Sequence, residues 1–249
     1  MPAFRTRHLC SVAAALALTV AGPATAASAA PDGLREVLFV GNNWDGTADV
    51  IRSSGDFAKV GRINVIPDRD ARMAEINADP IKWIYFQAIR NSVGEGHDQF
   101  ADDMYSTPDG RSVVVSRPSF ADVVSIDLAS GKVNWRFPVA GYRADHMAVS
   151  PDGTRVAVSA STAGTVHVLD IVTGRQLGSF ATGDKPHENI FTKDGRYIWN
   201  MSIGDVNTAL DDPGWDWTKG DRRITVVDAT TYRQVEVVDM RQRLDAFGL

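Results

Sequence analysis

The sequence predicts an all-β fold: a β-propeller of four-stranded antiparallel blades, about four of them recognisable, with an incomplete ring and a helical insertion. Three observations predict it. Residues 146–184 read as four short strands divided by three turns, an up-and-down sheet. The turn Pro108-Asp109-Gly110 returns 43 residues on as Pro151-Asp152-Gly153, and 42 further as Lys193-Asp194-Gly195. A second signature, Ile126-Asp127, returns as Leu169-Asp170 and Val227-Asp228, and Ser130-Gly131 returns as Thr173-Gly174. A period of about 40–50 residues with four strands per unit is a propeller's period, because each unit leaves an apolar face that only a neighbour covers.

The units follow in order. Residues 34–66 form the first, with strands expected at 36–40, 48–52 and 59–66. It shows three strands, the innermost being missing. Residues 67–96 break the pattern and are read as the helical insertion. There Asp79-Pro80 has the form of an N-cap followed by proline at the first helical position. Ile81, Ile84, Tyr85 and Ala88 then share one helical face. The run 81–89 is also rich enough in aromatics and isoleucine for a strand; helix is favoured. The insertion either packs on the side of the first unit or covers one mouth of the propeller.

The second unit spans 102–141, the third 145–184 and the fourth 188–239. From Asp194 to Asp228 is 34 residues, where the second and third units have 18 between the same landmarks. The surplus is a polar loop at 203–222 with Trp215 and Trp217 near its tip. Those tryptophans could stack on a sugar; pinning the loop to the rim is the safer expectation. The segment Asp205-x-Asn207 with Asp211 and Asp212 is read as solvated loop, since the glycine and terminal glutamate of a calcium loop are absent. The tail from 241 stops where a fifth unit would start. A ring this short would close small, assemble with another chain, or be a fragment of a longer propeller, and the fragment is the expectation.

The first 29 residues are read as a signal peptide and 30–249 as the propeller domain. Arg5, Arg7 and His8 precede an apolar run at 9–20, and Ala24-Thr25-Ala26 and Ala27-Ser28-Ala29 offer small-x-small cleavage sites. The protein is therefore expected to be secreted or otherwise extracytoplasmic. Cys10, the sole cysteine, lies in this leader, so a mature chain would carry no disulfide and no thiol chemistry. No later segment is long and apolar enough to cross a bilayer. The net charge of -5, or -7 without the leader's arginines, argues against nucleic acid as a partner.

Within residues 156–184 the chain reads V-A-V-S-x6-V-x-V-L-D-x-x-T-G, then Gly183-Asp184-Lys185-Pro186-His187 and the Asp194-Gly195 turn. This resembles the YVTN-type (YncE-like) β-propeller repeat of exported bacterial proteins, over residues 100–240 and more loosely 35–66. The resemblance implies the propeller fold and no single activity: its superfamily holds lactone hydrolases, subunits of redox enzymes and proteins without assigned activity. Residues 126–137 also resemble a quinoprotein tryptophan-docking repeat, with Trp135 after the Ser-Gly turn. The third unit has Gly178 in that position, and Trp135 is read as an outer-strand packing residue.

Aligning the units on their Asp-Gly turns gives the candidate site. Six residues before Asp109, Asp152 and Asp194 stand Asp103, His146 and Glu188, each preceded by Asp102, Asp145 and His187. Innermost strands line a propeller's channel, so these pairs form a ring of titratable groups around one mouth, to which His97 could add. Crowded carboxylates and imidazoles hold divalent metals or cationic or hydroxyl-rich ligands. The metal set expected is Asp103, His146, His187 and Glu188. The plainer expectation is that these groups bond the turn backbone and line a wet channel. Arg117 and Arg143 lie near strand ends, where they could meet an anionic ligand or simply be surface charges. Ser125, Ser150 and Ser159 lack a G-x-S-x-G context, so a serine hydrolase is not supported.

The function expected is an exported scaffold that binds an unidentified ligand or an extracytoplasmic protein partner at the channel mouth. The alternative is a metal-assisted hydrolase of a lactone or similar ester, with His146 or Glu188 handling protons. A redox-complex subunit is the third reading, and the lack of a C-x-x-C-H haem site counts against it.

Overall fold

A computed structural model describes residues 33–206, 208–209 and 211–247. The signal-peptide reading of 1–29, with Cys10, and Asn207 of the polar loop lie outside the described residues. The fold is mostly β and forms an incomplete propeller. The first sheet has three strands, β1 (Val37–Asn42), β2 (Thr47–Arg52) and β3 (Lys59–Asn64). The second orders β4 (Met104–Ser106), β5 (Ser112–Arg117), β6 (Asp122–Asp127) and β7 (Val133–Pro138). The third orders β8 (Ala144–Val149), β9 (Arg155–Ala160), β10 (Thr165–Asp170) and β11 (Gln176–Ala181). The fourth orders β12 (Pro186–Phe191), β13 (Tyr197–Ser202), β14 (Arg223–Asp228) and β15 (Gln234–Asp239). Every pairing is antiparallel, and β8 lies beside both β5 and β12.

The repeated residues make the turns. Asp109, Asp152 and Asp194 each accept the backbone N–H two residues on, and Gly110, Gly153 and Gly195 take φ near +70°, where a side chain is strained. At the next turn Asp127, Asp170 and Asp228 accept the N–H of Ser130, Thr173 and Thr231.

Three apolar clusters fill the three sheet junctions. Val113 and Val115 of β5 face the first sheet and the insertion, while Val114 between them faces the third sheet. Likewise Val156 and Val158 of β9 face the second sheet and Ala157 the fourth. Strands buried on both faces carry apolar residues at every position, and each fully buried valine contributes about 1.5–3 kcal/mol.

The insertion is helical: α1 (Arg69–Ala78), α2 (Pro80–Ala88) and a π turn over Ile89–Val93. Asp79 caps α2, accepting from the N–H groups of Ile81 and Lys82. The expected packing face is turned outward. Ile81 and Ile84 are about half exposed, because the insertion instead buries Phe86 of α2 and Ile89 of the π turn, and Tyr85 stacks on Tyr142 at 4.0 Å. Phe86 and Ile76 join the core between the first two sheets.

Arg117 is not a surface charge. It is fully buried at the end of β5, its fork on Asp122 at 2.8 and 2.9 Å and on Asp68 at 2.5 and 3.2 Å, with the Val65 carbonyl at 3.3 Å. Its donors are thereby consumed within the protein. Arg136 adds a bond to Asp122 and an ion pair to Glu75, so five charged groups hold α1 to the second sheet.

The polar loop of the fourth sheet carries a 3-10 turn over Pro213–Thr218, capped by Asp212. Its tryptophans do not pin it: Trp217 is 78% exposed. Asp184, just before β12, does that instead: its carbonyl accepts the Gly204 N–H at 2.9 Å and its carboxylate the Asp221 N–H at 2.8 Å. Buried Lys219 closes the loop on itself, its Nζ donating to the carbonyls of Thr208 and Ala209 at 2.8 and 2.6 Å. Past β15 the chain turns into α3 (Met240–Asp245), capped by Asp239 on the Gln242 N–H.

Candidate functional site

The paired titratable residues sit where each first strand meets its neighbour, and a bulge aims them. On β8, Ala144 pairs with Ala160 and Met147 with Val158, so Asp145 and His146 together oppose the single residue Ser159. On β12, Pro186 pairs with Ser202 and Glu188 with Met201, leaving His187 as the extra residue. Before β4, Asp102 donates its N–H to the Ser116 carbonyl and Asp103 accepts from the Ser116 N–H, the same two-against-one arrangement. A bulge breaks strict alternation, so neighbouring residues that would point to opposite faces reach the same mouth.

The structure brings five of the seven candidates together. His146 Nδ1 lies 3.1 Å from Asp103 Oδ2 and 3.7 Å from Asp102 Oδ1. His187 Nδ1 lies 3.2 Å from Asp145 Oδ2, and the two imidazoles meet edge to face at 4.3 Å. The ligand atoms form two triplets, Asp102-Asp103-His146 and Asp145-His146-His187, each spanning no more than 4.8 Å and sharing His146. Glu188 belongs to neither triplet; its carboxylate turns back to accept the N–H of Asn189 at 3.1 Å. His97 also belongs to neither, since its ring stacks on Trp44 at 3.8 Å where the insertion ends.

The cluster has a structural duty too. Asp103 accepts the Met147 N–H, Ser116 donates its hydroxyl to the Asp145 carbonyl, and Asn189 donates to the His146 carbonyl. Each of these bonds crosses from one sheet to the next. Arg143 does not await an anion: it pairs with Asp145 at 2.6 Å and with Gln99 at 3.2 Å. Gln99 carries no sequence signal, lying in the irregular stretch that follows the insertion.

Electrostatics distinguish the members. The hydrogen bond to Asp103, with the nearby carboxylates, outweighs burial and pushes His146 up to about 9. Burial pushes Asp102 up to about 6. Burial also acts upward on Asp145, but His187 and Arg143 prevail and hold it below the usual carboxylate range. One Asp145 oxygen, Oδ1, is buried with no hydrogen-bond partner among the described residues, although the residue is only 3% exposed. Such an atom is costly unless something fills its coordination.

The signs give a pH prediction for protein kept in chelator. His146, raised from 6.5 to about 9, contributes stability fully present below pH 6.5 and lost as pH rises through 9. Asp102 has finished its own upward-shifted titration near 6, below that window. Melting temperature should therefore fall between pH 6.5 and 9, and His146→Gln should flatten that slope. A slope unchanged by the substitution contradicts the assignment.

Comparison with known proteins reaches the fold. No family model matches the chain, and no curated protein matches it. Among solved structures 1107 chains match, so the architecture is too widely shared to select a function. One is Kuenenia stuttgartiensis hydrazine synthase, 17% identical with a TM-score of 0.56, covering 82% of this chain and 46% of that one. This chain thus spans about half the length of the structure it matches, and the likeness is one of fold.

Proposed function

We propose that the protein is an extracytoplasmic binding scaffold, a propeller of the YVTN type, that takes a divalent cation at the mouth formed by Asp102, Asp103, Asp145, His146 and His187. The observation that carries this is the pair of carboxylate-imidazole triplets sharing His146, with an unpartnered buried oxygen on Asp145 beside them. Mixed imidazole and carboxylate donors suit zinc or manganese better than calcium, which takes six or more oxygens. The cation would replace the protons and the Arg143 charge that otherwise balance three carboxylates. Export rests on the leader-like composition of residues 1–29, and the bound ion would hold a ligand or an extracytoplasmic protein partner at the mouth.

The experiment is a titration of chelated protein with zinc, manganese and calcium, read by thermal unfolding and by bound-metal content. At a hundred times Kd an ion stabilises by about 2.7 kcal/mol, which raises the melting temperature by roughly 5–10 °C in a domain this size. His146→Ala breaks both triplets and should abolish the shift; His187→Ala breaks one and should reduce it. A melting temperature indifferent to every metal removes the reading.

A second reading, metal-assisted hydrolysis of a lactone or similar ester at the same mouth, is favoured by one observation. With the cation on the Asp145-His146-His187 triplet, Asp102 stays free, and in the metal-free protein burial pushes its carboxyl up to about 6, the range of a general acid-base. Turnover of a lactone panel that requires the metal and disappears in Asp102→Asn would establish it.

A further inference from the structure

A cavity of about 240 Å³ lies between the helical insertion and the rim of the second sheet, away from the mouth cluster. Its apolar wall comes from Ile76 and Phe86 of the insertion and from Phe120 and Val139 of the sheet. All four are buried and belong to the well-packed cores around it, which makes the wall rigid. The polar side is cationic. Arg72, Lys82 and Arg136 line it against the single carboxylate of Glu75.

Those cations are not equivalent. Arg72 is paired with Asp68 and Glu75, and Arg136 with Asp122 and Glu75. Lys82 forms no ion pair among the described residues, and its backbone N–H is already held by the Asp79 cap, so its position on α2 is fixed. The cavity therefore presents an apolar, partly aromatic slot with one surplus positive charge at its rim. Sites of this kind hold small ligands whose body fills the apolar part and whose polar end selects orientation.

We infer that this cavity binds a small aromatic monocarboxylate, its ring against Phe86, Phe120 and Val139 and its carboxylate on Lys82. The volume admits a single- or two-ring acid. An acid of about ten heavy atoms in such a site binds with a Kd on the order of 0.1–1 mM.

The test uses the full chain in chelator, with phenylacetate and indole-3-acetate as probes and phenylacetamide as the neutral control, read by thermal unfolding and by calorimetric titration. Both acids should bind saturably below about 10 mM, and the amide at least about tenfold more weakly, because the charge-assisted contact is lost. Lys82→Glu, at an exposed position, should melt like the parent without ligand and lose at least about tenfold in affinity for the acids, while Lys82→Arg restores it. Amide binding equal to acid binding, undiminished acid binding in Lys82→Glu, or no binding by either acid would each overturn the assignment.

Discussion

Replacing Arg117 by Met is expected to cost about 3–5 kcal/mol and to loosen the helical insertion from the second sheet. The side chain is fully buried, and so is the carboxylate of Asp122 that it holds through two bonds. Removing the guanidinium leaves Asp122 with Arg136 alone and strands Asp68, the residue that opens α1, with the more exposed Arg72. The loss is dominated by uncompensated buried charge, since methionine nearly matches the volume. Urea unfolding measures the stability, and limited proteolysis within 67–96 reports the loosened insertion. The exposed pair of Arg52 with Asp56 supplies the comparison: Arg52→Met removes a surface ion pair and should change stability by less than about 1 kcal/mol. If the two substitutions cost the same, the buried network does not anchor the insertion.

How much of this was legible in the sequence follows from the range of each interaction. Turn chemistry acts over two or three residues, so the recurring Asp and Gly residues announced the strand boundaries; β6 and β10 fall where the pattern places them, at Asp122–Asp127 and Thr165–Asp170. The three-stranded first sheet and the Asp79-Pro80 helix start were legible for the same reason. The juxtaposition of Asp102, Asp103, Asp145, His146 and His187 was legible because repeat-equivalent positions must meet around an axis. The bulges were not, and they bring Asp145 and His146 to one mouth together; Glu188 is drawn off by a local bond to the Asn189 N–H, which no repeat pattern marks. Arg117 meets Asp68 across 49 residues of sequence, and no local pattern marks either as a buried partner. The apolar residues of α2 misled because the insertion offers two apolar faces, and only the shape of the groove beneath chose Phe86 and Ile89. Trp217 misled for a related reason: aromatic burial is the commoner outcome, but Asp184 already fastens both ends of the loop through Gly204 and Asp221.

The second large effect lies in the junctions between sheets, which alternate in size. Trp135 on β7 packs over Gly174 in a turn of the third sheet, so close that a Cβ on Gly174 would stand 2.4 Å from the ring. At the next junction the roles reverse. Gly178 on β11 occupies the position of Trp135, and Tyr232 occupies the position of Gly174; a Cβ on Gly178 would stand 2.1 Å from the tyrosine ring. Tyr232 has φ +56°, where Gly131 and Gly174 stand in the other sheets, so its ring contact is made at the expense of backbone strain of about 1 kcal/mol. These two junctions thus each hold one large and one absent side chain, and which side supplies which is arbitrary; at the first junction Gly61 and Gly131 hold the two positions and no ring enters. Gly178→Trp alone should therefore lose at least about 3 kcal/mol, because two rings compete for one slot. Tyr232→Gly alone should lose roughly 1–3 kcal/mol, the lost ring packing being partly offset by relief of the left-handed strain. The double substitution rebuilds the Trp135-Gly174 pairing one junction further round, and should recover about 2–3 kcal/mol relative to the sum of the single losses. A double-mutant cycle in urea reads that coupling directly. Losses that simply add would mean that the two positions do not share a slot, and that the sheets are held together by their valine cores alone.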